Sequence, residues 1–133
     1  MIESLSNAKI KYATKLKQKK YRSEFNEFLV EGFHLVEEAI KSGFAKTIFA
    51  TEEVKFKNIE IELVSNQVMK KLSDLGEERG IIAVCSKPMN KDLSPYILML
   101  DGVQDPGNLG TLIRTASAFG FNTIISENSV DYY

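Results

Sequence analysis

A chain of 133 residues, 44% apolar and 26% charged, is the size of one ordinary domain or of a small domain plus part of another, and it can build a core. It holds no run of about 18 apolar residues, which excludes a helical membrane span, and its polar, lysine-rich start is no secretory signal. The net charge of −1 hides an asymmetry: residues 1–22 carry seven basic side chains against one acidic, and the rest carries 10 basic against 17 acidic.

Ser4 or Ser6 can cap a helix that runs to about Lys20. Ile10, Ala13 and Leu16 recur at helical spacing and face a core, while Lys11, Lys15 and Lys19, four apart, form one charged stripe. Residues 28–32 read as a short strand. Leu35, Val36, Ala39 and Ile40 give a second helix its apolar face, with Gly43 as its stop. Residues 47–50 and 61–64 read as two more strands. Ser65 or Asn66 caps a third helix with Val68, Met69, Leu72 and Leu75 turned inward, and Gly76 ends it. Residues 81–85 are the next strand. Its Cys85, the single cysteine, excludes an internal disulfide and reads as a buried small hydrophobe, which fits a reducing cytoplasm.

Strands alternating with helices imply an α/β layer over residues 1–87. The polar stretch 88–95, bounded by Pro88 and Pro95, reads as a linker. Residues 97–100 form a buried-type strand. Asp105 caps the next helix and Pro106 suits its first turn. Leu109, Leu112, Ile113, Ala116 and Phe119 make its apolar face, Gly120 ends it, and residues 122–126 return as a strand. One βαβ unit cannot bury both faces of a parallel sheet, so residues 96–133 read as the opening of a larger domain.

Chemistry concentrates in two places. Gly102, Gly107 and Gly110 bracket a strand-to-helix turn that lacks the G-K-[S/T] of a P-loop and the G-x-G-x-x-G of a dinucleotide fold. Such a turn gathers free backbone N–H groups beside a positive helix end and suits a phosphate; a plain connection is the alternative. On the following helix Arg114 lies roughly opposite Leu109, Leu112 and Ile113, either as an exposed arginine or as a two-pronged phosphate ligand. The amide of Asn108 can cap the helix or hold the loop. At the other end of the chain Lys9, Lys11, Lys15, Lys19, Lys20 and Arg22 can meet phosphates, with Tyr12 and Tyr21 either stacking on bases or packing in the core. A basic arm on an acidic body suits a polyanion, and a solvated helix is the plainer reading. His34 lacks a second His or Cys near enough for a metal site.

The run Asp101-Gly102-Val103-Gln104-Asp105-Pro106-Gly107-Asn108-Leu109-Gly110, with Arg114-Thr115-Ala116 after it, closely resembles the first signature motif of the SpoU (TrmH-like) branch of the SPOUT RNA methyltransferases. Upstream, Lys19-Lys20-Tyr21-Arg22 followed by Phe28-Leu29-Val30-Glu31-Gly32 resembles the opening of that family's substrate-binding domain, and Arg79-Gly80-Ile81-Ile82-Ala83-Val84 resembles its closing strand. The resemblance covers essentially the whole chain.

It implies a small ribosomal-protein-like α/β RNA-binding domain over residues 1–87, a linker over 88–95, and over 96–133 the opening βαβ of a trefoil-knot methyltransferase domain, truncated here. It implies transfer of a methyl group from S-adenosylmethionine to a ribose 2′-hydroxyl of RNA, with rRNA favoured over tRNA, and no metal. Asn108 and Arg114 fall on the family's catalytic positions, and Gly107 and Gly110 on its phosphate-approach loop. The basic residues named above fall on the RNA side together with Glu31, which is either a strand-end carboxylate or the holder of an RNA-contact loop. The donor-binding residues are expected beyond Tyr133, and the complete protein is expected to be a cytoplasmic homodimer. A non-catalytic RNA-binding module is the second reading, and a small-molecule nucleotide binder a weaker third.

Overall fold

The computed structural model describes residues 1–76, 80–89 and 92–133. They divide into two compact units, Met1–Pro88 and Met89–Tyr133. Arg79 of the closing-strand resemblance and two residues of the expected linker, Asn90 and Lys91, lie outside the described residues.

The first unit runs α1 (Ala8–Lys15), α2 (Lys19–Phe25), β1 (Glu27–Glu31), α3 (Phe33–Lys41), β2 (Ala45–Ala50), β3 (Glu60–Leu63), α4 (Asn66–Leu72) and β4 (Ile81–Ser86). The strands form one mixed sheet in the order β1-β4-β2-β3, with β4 antiparallel to both neighbours and β2 parallel to β3. The near-continuous apolar run of β4 suits its central place, because a strand covered on both faces needs no polar alternation. Ile82 and Val84 join Phe49 in packing against Ile10, Ala13 and Leu16 of the N-terminal segment and Val68, Met69 and Leu72 of α4. Ile81, Ala83 and Cys85 join Ile48 and Ala50 against Val36 of α3 on the other face. The result is three layers, helix on sheet on helix.

The N-terminal helix departs from its sequence pattern. Ser4 and Ser6 bond each other through their hydroxyls at 2.7 Å, and Asn7 is the cap, its Oδ1 accepting from the Lys9 amide at 2.9 Å. The helix then stops at Lys15 and a second one starts at Lys19. The break is held by Arg22, whose guanidinium donates to the carbonyls of Leu16 (3.0 Å) and Lys17 (2.9 Å), groups a helix end leaves without partners. Lys19 therefore leaves the stripe that Lys11 and Lys15 share. At α4, Ser65 is the cap as expected, but the helix ends at Leu72 rather than running to Gly76, because Ser73 turns extended (ψ 144°). Leu75 thus falls past the helix and is 63% exposed instead of inward. Leu35 sits at the rim of the α3 stripe, outside Val36, and is likewise exposed.

The second unit is a βαβ: β5 (Ile97–Asp101), α5 (Pro106–Ala118) and β6 (Thr123–Glu127), with β5 and β6 parallel. Leu100, Leu109 and Ala116 are its buried side chains. Phe119, expected on the inner face, is the C-cap of α5 and is 76% exposed. Met99 and Ile125 also stay exposed, as a two-stranded sheet covered by one helix requires. No helix among the described residues is long and apolar enough to cross a membrane.

Cys85 is fully buried, and burial, with the nearby Glu27 carboxylate adding to it, pushes its thiol up to about 11. The thiolate is the reacting species, so a rise of this size lowers its population about 100-fold at pH 8. An aromatic disulfide reagent is expected to label the native chain slowly and the denaturant-unfolded chain at once; rapid native labelling would contradict the buried assignment.

Candidate functional site

The Gly-rich turn leaves β5 at Gly102 with a positive φ of 68°, a region a glycine enters without strain. Asp105 then caps α5, its Oδ1 accepting from the Asn108 amide at 2.7 Å. A Cβ on Gly107 would stand 3.1 Å from that same Oδ1, so the cap and the glycine go together. The turn is braced from behind by the segment after β6. Val103 N donates to Ser129 Oγ at 2.9 Å, Val130 N to the Val103 carbonyl at 2.8 Å, and the Gln104 amide to the Asn128 carbonyl. Gln104 and Ser129 are the residues the sequence pattern did not single out. Only contacts between residues 24 and 26 positions apart reveal them.

Asn108 and Arg114 are both exposed, and among the described residues neither side chain has a hydrogen-bond or ion-pair partner. They do not touch. Six residues on one helix set them about 9 Å apart along its axis and roughly 120° apart around it. Two polar groups without internal partners, one beside a helix N-terminus and one on the following turns, can address a phosphate and a neighbouring ribose without first breaking native bonds.

The basic N-terminal residues separate into two groups. Lys9 is bound by Glu60 at 3.2 Å and by Glu62, and Arg22 is bound by the Leu16 and Lys17 carbonyls just past α1. The hydrogen bond to Glu62 raises Lys9 above its ordinary range, and the same bond lowers Glu62. Lys11 and Lys19 are exposed and make no such bond among the described residues. Lys15 and Lys20 each place their ammonium 5.4 Å from the centre of the Tyr21 ring. Tyr21 stacks on Phe25, which stacks on Tyr12. Four lysines, two of them beside an aromatic stack, therefore remain open to a polyanion, and Lys9 and Arg22 serve the fold first.

Glu31 accepts from the Asp74 amide at 2.7 Å, the Leu75 amide at 3.1 Å and the Ser73 hydroxyl at 3.3 Å. Glu31, the last residue of β1, thus ties the segment 73–75 to the end of that strand. Glu31→Ala leaves two backbone donors without this acceptor and is expected to cost about 1–3 kcal/mol locally. The check is amide hydrogen exchange, which should accelerate at Asp74 and Leu75 and not in α1. His34 is exposed, and among the described residues no three His, Cys, Asp or Glu side chains converge as a metal site.

Known proteins match this arrangement along its length. Residues 7–83 match the MRM3-like substrate binding domain, and residues 95–133 match the SpoU rRNA Methylase family. The chain is 40% identical over 131 residues to the 23S rRNA (guanosine(2553)-2′-O)-methyltransferase RlmP of Bacillus subtilis, covering 93% of this chain and 53% of that protein. It is 27% identical over 131 residues to the mitochondrial rRNA methyltransferase 3 of Homo sapiens, covering 84% of this chain and 31% of that one. The AdoMet-bound rRNA methyltransferase of Sinorhizobium meliloti matches with a TM-score of 0.74 at 28% identity, over 98% of this chain and 55% of that one. A mixed α/β substrate-binding unit followed by a methylase motif defines the class, and the chain belongs to the SpoU rRNA methylase family. It spans about half the length of the Bacillus subtilis relative.

Proposed function

We propose that this chain works in RNA 2′-O-ribose methylation, with S-adenosylmethionine as methyl donor and rRNA as the preferred substrate. The observation that carries the reading is the joint match of both units, in the same order, to a substrate-binding domain and a methylase family, at 40% identity to a 23S rRNA 2′-O-methyltransferase. In this reading residues 1–87 present the RNA, 88–95 link, and 96–133 open the catalytic domain of a cytoplasmic homodimer. The open lysines Lys11, Lys15, Lys19 and Lys20 grip phosphates, with Lys9 and Arg22 on the same surface, and Glu31 positions its loop beside them.

The donor supplies an electrophilic methyl group on sulfur. The groove beside α5, about 250 Å3 between Leu109, Ile113 and Tyr132, falls below the ~300–1,000 Å3 of typical ligand sites, so we assign the donor no site among the described residues. The residues present act on the RNA. Asn108 offers its free side-chain amide to the RNA at the helix start, and Gly107 and Gly110 allow close approach of a phosphate. Arg114 orients the target nucleotide and stabilises the negative charge that develops on the 2′-oxygen. A guanidinium does not give up its proton in a protein, so Arg114 binds and polarises rather than abstracts.

The test, made on a protein of the relatives' full length that carries this chain, is transfer of a labelled methyl group to rRNA, with the product mapped by its 2′-O-methylated position. Transfer that fails in Asn108→Ala and Arg114→Ala supports the reading. Salt-sensitive RNA binding with no transfer and no donor binding would favour the non-catalytic RNA-binding module instead.

A further inference from the structure

Between α1 and the sheet, the first unit encloses a cleft of about 400 Å3 that neither the Gly-rich turn nor the open lysines use. Lys9 and Tyr12 line it from α1, Glu27 from β1, and Lys46, Thr47 and Phe49 from β2. Its volume lies within the ~300–1,000 Å3 of small-molecule sites.

The cleft has one deep acceptor. Glu27 is only 5% exposed; one of its oxygens accepts from the Tyr12 hydroxyl at 2.6 Å and the other from the Lys46 ammonium. Strand alternation would turn Lys46 away from Glu27, onto the face that Ile48 and Ala50 share. A register shift between Ala45 and Thr47 makes Lys46 the extra residue of a bulge, and so brings it to Glu27. Bulges of this kind re-aim side chains beside sites. An ionised carboxylate offers about four acceptor positions, and two are filled here. The walls are flat and fixed: the Tyr12 ring stacks on Phe25 with centroids 4.9 Å apart, and Phe49 closes the floor. Both ammonium groups are already engaged, Lys9 by Glu60 and Glu62 and Lys46 by Glu27, so three carboxylates stand against two cations. A phosphate would meet those carboxylates, whereas a neutral planar ring would not be repelled.

We propose that this cleft takes a guanine base from a single-stranded stretch of RNA, with its N1–H and N2–H donating to the Glu27 carboxylate. A carboxylate can only accept. Guanine alone among the four bases presents two adjacent N–H donors on its Watson–Crick edge. Adenine and cytosine set a ring-nitrogen acceptor beside their amino group, and uracil flanks its one N–H with carbonyls. Splayed bases read on that edge and packed against aromatic rings are the usual form of sequence-specific RNA recognition. Lys46, 54% exposed at its side chain, swings outward to the phosphate next to the bound base. The inference rests on the RNA reading above for the source of the guanine, and not on any role of Asn108 or Arg114.

The experiment is an amide-shift titration of the isotope-labelled 133-residue chain with guanosine, inosine and adenosine, which carry no phosphate. Guanosine is expected to move the Tyr12, Thr47 and Phe49 amides and to bind about tenfold or more tightly than inosine, which lacks the 2-amino group. Adenosine is expected to leave them in place. Glu27→Gln should abolish the preference, and Lys46→Ala, which keeps the carboxylate, should retain it. Equal responses to all three nucleosides, or none at saturation, overturn the proposal. RNA that binds the open lysines while the cleft amides stay still overturns the guanine cleft alone. Guanosine selectivity without any RNA affinity overturns the RNA source and leaves the cleft standing.

Discussion

In a protein of the relatives' full length that carries this chain, Arg114→Ala is expected to lower methyl transfer to RNA about 100- to 1,000-fold, the range seen when one preorganised donor to a developing oxyanion is removed. The fold should not notice. Arg114 is exposed and without a partner among the described residues, and such surface changes stay within about 0.5 kcal/mol. The thermal midpoint is therefore the control, and an unshifted midpoint assigns the whole loss to chemistry. The two roles proposed for the side chain separate in the kinetics. Gripping a phosphate acts on ground and transition state alike and appears in KM, whereas stabilising the 2′-alkoxide appears in kcat. Arg114→Lys keeps the charge and loses the planar two-pronged donor, so it should remain well below the native rate. Near-native transfer by the lysine variant would remove the bidentate role and leave only a point charge.

Local chemistry made much of the architecture readable in the sequence. The apolar run at residues 81–85 marked the strand β4, and Asp105 with Pro106 marked the start of α5 to the residue. Two of the misreadings share one cause. The periodicity of Ile10, Ala13 and Leu16 runs on past Lys15, but the chain breaks there because Arg22, from the next helix, captures the carbonyls of Leu16 and Lys17. Leu75 matched the α4 stripe, yet Ser73 and Glu31 turn the backbone out of the helix before it. In both cases a side chain beyond the segment overrides the segment's own pattern.

The candidate site was legible in its residue types and not in its partners. The Gly-rich turn, Asn108 and Arg114 were visible because their order resembles a family motif; composition and spacing alone left the plain connection and the exposed arginine open. What the sequence could not give is which cations are already engaged. Seven basic residues look equivalent in the first 22, but Lys9, Lys17 and Arg22 are tied to Glu60 and Glu62, to Asp74, and to the Leu16 and Lys17 carbonyls. The bulge that brings Lys46 to Glu27 is a register event between β2 and β4, and nothing in either strand alone announces it.

The three-layer arrangement makes a test of its own at β4. Ile81 and Ile82 are neighbours in sequence, both fully buried, and they point to opposite cores. In a sheet with one wet face, one of the pair would tolerate truncation. Here each should cost about 2–5 kcal/mol when changed to alanine, the transfer loss plus the cavity left behind. Against a total stability of about 5–15 kcal/mol, either change removes a large share. In urea the midpoint of the first unit should fall by roughly 1–3 M in each case, with Leu75→Ala, an exposed leucine, as the unshifted control. The two variants should differ in where the damage spreads. Ile82→Ala loosens Leu16, Val68 and Leu72, so amide exchange should accelerate in α1 and α4. Ile81→Ala loosens Val36, so it should accelerate in α3 instead. If Ile81→Ala proved harmless, α3 would not be covering the second face, and the sheet would have to be read as two-layered.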